Sequence, residues 1–188
     1  MIATLPPTRR ATPDDLMKVE GKAELINGGI VHLMASGDIP GGIAFYIARK
    51  LADYAEEHDF GIVHTDGIAC VVPELSSGRE SFIPDAAYYH RNRRNRTMKF
   101  MQGAPEFAVE VRSENDYGRT AERDLAAKRA DYFEAGTKVV WDVDPEEKVV
   151  RVYRADQPET AEVYGDGQEA NAEPALPGWK LPVARIFA

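Results

Sequence analysis

A mixed β-sheet with helices on its faces, an α/β (α+β) arrangement, is the fold class that this 188-residue sequence predicts. Three observations predict it. Asn27-Gly28-Gly29 lies between the apolar runs 23–26 and 30–34, and Asn-Gly between such runs is the strongest short-range hairpin signal. Two stretches, 42–57 and 119–135, carry apolar residues at helical spacing. The strand-like runs around them do not alternate one for one with helices, so a simple parallel βα array does not fit.

The elements follow in chain order. Thr12-Pro13-Asp14-Asp15 supplies an N-cap, a first-turn proline and acids suited to the helix dipole, predicting a short helix to about Val19. After the hairpin, Ile43, Ile47, Leu51 and Tyr54 mark one buried helix face, which ends at His58-Asp59-Phe60-Gly61. Strands are expected at 62–64, 67–72 and 82–89, with the turn-rich segment 73–78 among them, and a further strand at 107–112. The helix 119–135 stops at Gly136, a natural C-cap. Strands 138–144 and 148–154 then flank the turn Asp144-Pro145-Glu146-Glu147. The whole chain reads as a single domain, 1–188. Residues of about 12–155 form its core, and 156–188 a loose extension that packs back from Trp179 onward.

Composition narrows the function. The one cysteine, Cys70, excludes an intrachain disulfide and a paired-cysteine zinc site, and suits a reducing cytoplasm. No stretch reaches membrane-spanning length, and the first ten residues lack the apolar core of a secretory signal, so a soluble protein with no membrane partner is expected. A net charge of −8 argues against a broadly basic nucleic-acid coat. One local exception is the run 90–99, which carries Arg91, Arg93, Arg94, Arg96 and Lys99 and reads either as a solvated loop or as a salt-sensitive phosphate contact. His32, His58, His64 and His90 show no paired metal spacing, and no glycine pattern indicates a nucleotide cofactor.

The chemistry gathers on acids placed within apolar runs. Glu110 sits inside Phe107-Ala108-Val109-Glu110-Val111-Arg112, and Asp85 follows Phe82-Ile83-Pro84. Acids are rarely buried without a partner, so two of them on consecutive strands call for a cation, a base or a substrate between them. Hard divalent cations such as Mg²⁺ meet that need with oxygen ligands. On the helix that follows, Asp124, Lys128 and Tyr132 fall at i, i+4 and i+8. A lysine on such a stripe either serves an acidic site, by orienting water or neutralising phosphate charge, or makes a surface pair with Asp124.

These residues carry a resemblance. The frame Ala23-Glu24-Leu25-Ile26-Asn27-Gly28, Pro84-Asp85, Pro105 to Val111, Asp124 to Lys128 to Tyr132 with Gly136, and Trp141 to Pro145 resembles the Uma-type family of putative restriction endonucleases. That family is placed in the PD-(D/E)XK nuclease superfamily, and the resemblance runs from Pro13 to Phe187. It implies a restriction-endonuclease-like core and a Mg²⁺- or Mn²⁺-dependent endonuclease acting on DNA, as a homodimer because one chain supplies one site. It further implies that Asp85 and Glu110 bind the metal, that Lys128 is the catalytic lysine, and that Glu24 supports the metal shell. Arg112 stands where the wider superfamily has its lysine. A guanidinium stays protonated, so it suits phosphate binding or an ion pair with Glu110 better than base catalysis. Gly29 replaces an acid common in relatives, so two metals are not expected. The competing readings are a non-catalytic DNA-binding or protein-interaction module on the same fold, and a carboxylate-pair hydrolase of the glycosidase kind.

Overall fold

The Asn27-Gly28 turn adopts the conformation its residues favour. Both take positive φ, 53° and 67°, and join β1 (Ala23–Ile26) to β2 (Gly29–His32) with Ile26 opposite Gly29. The computed structural model describes residues 10–93 and 97–188. Helix α1 (Pro13–Leu16) begins in a capping box between Thr12 and Asp15, and Leu16 buries against Ala23 and Leu25 of the hairpin. Helix α2 (Asp38–Glu57) starts four residues ahead of the expected 42. Pro40 is tolerated there because it falls in the first turn, where the N–H groups have no intrahelical acceptor.

Next come β3 (Gly61–Thr65), β4 (Cys70–Val71), β5 (Ser81–Phe82), β6 (Ala86–His90), β7 (Met101–Gln102) and β8 (Phe107–Val111). Helix α3 (Arg119–Glu134), β9 (Val139–Asp144), β10 (Val149–Arg154) and β11 (Gln157–Tyr164) follow. The chain ends with β12 (Glu169–Asn171), β13 (Lys180–Pro182) and α4 (Val183–Ile186). A six-stranded mixed sheet in the order β11-β10-β9-β8-β6-β3 forms the centre, with β8 and β9 parallel and the other pairs antiparallel. Phe107, Val109 and Val111 face α2 and pack with Trp141; the alternate residues Ala108 and Glu110 face α3. No helix among the described residues is long and apolar enough to cross a membrane.

Two sequence expectations are corrected. The run 82–89 is not one strand: it breaks at Ile83-Pro84-Asp85, leaving β5 in a small sheet with β4 and β7 while β6 joins the main sheet. Pro84 has no N–H for a ladder, so the chain changes sheets at that point. The tail 156–178 is not a loose excursion either. β11 forms one edge of the main sheet and β12 pairs with β13. Backbone ladder bonds hold β11, whose side chains are mostly exposed and therefore show no apolar alternation. Small residues hid the rest, since Ala170 and Ala172 are fully buried while Trp179 stacks on Trp141 at 5.1 Å.

Candidate active site

The break at Pro84 positions the first acid. Asp85 lies one step beyond the Ala86–Val109 pair of β6 and β8, which puts it opposite Glu110 with both side chains on the α3 face. Its N–H still donates to Val109 O (3.0 Å), but its own Oδ2 accepts the next N–H, that of Val111, at 2.7 Å. The carboxylate thus takes up an N–H of β8 that lies beyond the last register pair with β6. Among the described residues no hydrogen bond reaches Oδ1. Burial and the neighbouring Glu110 push the Asp85 carboxyl up to about 7, against the pull of Val111 N–H and Lys128.

Helix α3 supplies the partners of Glu110. Lys128 Nζ donates to Oε2 at 2.7 Å and Tyr132 OH to Oε1 at 2.6 Å. Burial raises the Glu110 carboxyl, while both donors favour its ionised form. Burial works against the Lys128 ammonium too, but Glu110 and Glu24 outweigh it and hold the lysine above its ordinary value. Lys128 therefore stays protonated and acts as a fixed charge. From the hairpin, Glu24 is 2% exposed and sits 3.8 Å from Lys128 through Oε1, which also accepts Ile83 N–H at 3.0 Å. Its Oε2 accepts from Arg79, whose Nε reaches Asp131 at 2.9 Å.

Of the residues singled out in the sequence, Glu24, Asp85, Glu110, Lys128 and Tyr132 come together; the others do not. Asp124 is exposed and lies 3.7 Å from Arg123. Successive i+4 steps overshoot a full turn by about 40°, so a stripe that buries Tyr132 and half-buries Lys128 has rotated to solvent by Asp124. Arg112 does not pair with Glu110. It is 5% exposed and forks onto Asp142 on β9 at 2.7 and 2.8 Å, with Glu122 as a further partner. The Pro145 turn is capped by Asp144, which accepts from Glu146 and Glu147 N–H at 3.0 Å. Sequence reasoning missed Arg79 and Asp131. Gly78-Arg79-Glu80 reads as an ordinary turn, and no spacing signal links it to a helix 52 residues away.

Of the basic run, Arg94 and Arg96 lie outside the described residues. Arg93 is occupied structurally: it donates to Ala104 O at 2.5 Å and packs over the Tyr89 ring at 5.0 Å. Arg91 and Lys99 are exposed and only loosely paired, with Asp59 at 3.6 Å and Asp14 at 3.4 Å. Lys99 borders an open groove of about 770 Å³ with Ile62, His64, Met98 and Phe100. β3, which lends Ile62 and His64 to the groove, runs on to Thr65, whose register partner Ala86 follows Asp85 in the chain.

The site carries an excess of negative charge. Glu24, Asp85, Glu110 and Asp131 are four carboxylates facing two cations, Arg79 and Lys128, so with Asp85 ionised the group lacks two positive charges. Among the described residues no three His, Cys, Asp or Glu side chains converge as a ligand set. A Mg²⁺ that keeps most of its waters needs only one or two carboxylates.

The sequence model of the Uma2 family, described as putative restriction endonuclease, matches residues 12–184. No curated protein matches the chain. Among solved structures, the chain is similar to a crystal structure from Anabaena variabilis ATCC 29413 described as a putative nuclease belonging to DUF820. The two superpose with a TM-score of 0.74 over 94% of this chain and 97% of that one, at 19% identity. At that identity the likeness is one of fold.

Proposed function

The chain belongs to the Uma2 family of putative restriction endonucleases, and from that premise we propose that it hydrolyses phosphodiester bonds in DNA with one Mg²⁺ or Mn²⁺ held by Asp85 and Glu110. The observation that carries this reading is the excess of two negative charges in the group of four carboxylates and two cations, at which Asp85 has no cation in contact and keeps Oδ1 free of hydrogen bonds among the described residues. A cation bound there would polarise the scissile phosphate and lower the pKa of a coordinated water.

The protein's own groups divide the remaining work. Tyr132 and Lys128 fix the orientation of the Glu110 carboxylate through one hydrogen bond to each oxygen. Lys128, held protonated, offsets negative charge that builds on the phosphoryl oxygens rather than removing a proton. Val111 N–H aims the Asp85 carboxylate by holding one of its oxygens. Lys99, on the groove beside β3, and the exposed Arg91 that follows β6 meet backbone phosphates away from the cut. A duplex cut on both strands calls for two such sites, so the active species in this reading is a cytoplasmic homodimer.

Calorimetric Mn²⁺ titration tests the reading, paired with plasmid nicking, on the parent and an Asp85→Ala/Glu110→Ala variant. About one ion per chain and metal-dependent nicking are expected of the parent, with both lost in the variant. Equal metal binding by the two proteins would favour a non-catalytic module on the same fold.

A further inference from the structure

Arg79 touches neither acid of the proposed metal pair, yet it is built into their surroundings. It leaves the β4–β5 connection and its side chain is 12% exposed. Its Nη1 donates to Glu24 Oε2 and, at 3.3 Å, to Ser81 O, while Nε donates to Asp131 Oδ2 at 2.9 Å. The guanidinium lies over the Phe82 ring at 5.2 Å, and Phe82 stacks on Tyr132 at 4.2 Å. Four side-chain contacts on a turn residue exceed what holding the turn requires.

The consequence is electrostatic. Glu24 has two cationic neighbours, Arg79 in direct contact and Lys128 at 3.8 Å, whereas Lys128 meets Glu110 at 2.7 Å. Glu24 thus competes with Glu110 for the Lys128 ammonium, and Arg79 decides that competition by occupying Glu24. We propose that Arg79 is a positioning residue: by neutralising and holding Glu24 it keeps Lys128 on Glu110 and limits the site's charge deficit to that of one divalent cation. This rests on the nuclease reading for the role of Lys128 and extends it to a residue outside the metal pair.

The two effects of removing the charge have opposite signs, which separates positioning from simple packing. In Arg79→Gln the deficit grows by one, so a divalent cation binds more tightly. At the same time Glu24 draws Lys128 away from Glu110, so cleavage slows. A side chain that only filled space would weaken both when replaced.

The experiment is Mn²⁺ calorimetry with plasmid nicking at saturating Mn²⁺, on the parent, Arg79→Gln, Arg79→Lys and Glu24→Gln/Arg79→Gln. For Arg79→Gln the Mn²⁺ Kd is expected to fall about three- to tenfold, while nicking falls about 10- to 100-fold. Arg79→Lys should return the Kd to the parent value and restore part of the nicking. The double variant loses one charge of each sign, so its Kd should also return to the parent value and its nicking should exceed that of Arg79→Gln. It guards against misfolding as well, because it removes both partners of the buried pair. An Arg79→Gln protein whose Kd is unchanged or weaker, or which nicks as the parent does, overturns the proposal while leaving the nuclease reading intact. A parent protein that binds no Mn²⁺ overturns the nuclease reading, and this inference with it.

Discussion

Two groups of buried charges share the α3 face of the sheet, a few ångströms apart, and they are built to opposite ends. In the group on β9 and β10 every buried acid has its cations. Arg112, Arg129 and Arg151 meet the buried Asp142 and Asp144, with Arg112 forked on Asp142, Arg129 at 3.3 Å from Asp142 and Arg151 at 2.9 Å from Asp144, while Glu122 and Glu147 join from the exposed rim. The group around Glu110 does not balance, since four carboxylates there meet two cations. Burial of a charge is costly in both places. Where each charge has its partner, the network holds strands and helix together. Where a deficit persists, the fold tolerates it only at the price of a raised carboxyl pKa, and such a site is the better candidate for binding something positive.

The sharpest way to break this contrast is to remove one cation from each group. Lys128→Met should slow nicking by about 100- to 1000-fold while the chain still binds Mn²⁺. Arg112→Met should leave Mn²⁺ affinity unchanged but lower folding stability by about 3–5 kcal/mol in urea denaturation, because Asp142 loses its fork. If Arg112→Met abolished metal binding instead, the two groups would be one functional unit.

A smaller effect comes from Asp85, whose carboxyl titrates at about 7 in the fold against an ordinary 3.8. The folded state therefore binds this proton more tightly than the unfolded chain does. The associated stability is complete below about pH 4 and is lost as pH rises through 7. Without metal, Asp85→Asn should be more stable than the parent at pH 8, by on the order of 2–4 kcal/mol, and equal to it near pH 4. Thermal denaturation in EDTA at the two pH values measures this. A variant less stable than the parent at pH 8 would mean that Asp85 is already compensated.

The smallest expected effect lies in the basic loop, where exposure separates residues that look alike in sequence. Replacing Arg91 and Lys99 together by Ala should reduce the salt dependence of DNA binding by a log–log slope of about 2, leaving the fold unaltered. Fluorescence anisotropy across a salt series would detect it. An unchanged slope would move the DNA contact elsewhere.

Much of the fold was legible in the chain. Asn27-Gly28 dictates a two-residue hairpin through the positive φ both residues accept, and the spacing of Ile43, Ile47 and Leu51 dictates a helix face, because both signals are local. The acids Asp85 and Glu110 stood out for the same reason, as charges inside apolar runs. The edge strand β11 was not legible, since its stability comes from backbone bonds to β10, and those leave no mark on its side chains. Nor were the partners of the charges. Lys128 rather than Arg112 pairs with Glu110, Arg112 turns to Asp142, and Arg79 reaches across 55 residues to Glu24. Sequence establishes which residues carry charge and which face of an element they occupy. Which opposite charge each one meets depends on strands and helices far apart in the chain, so only the packed structure decides it.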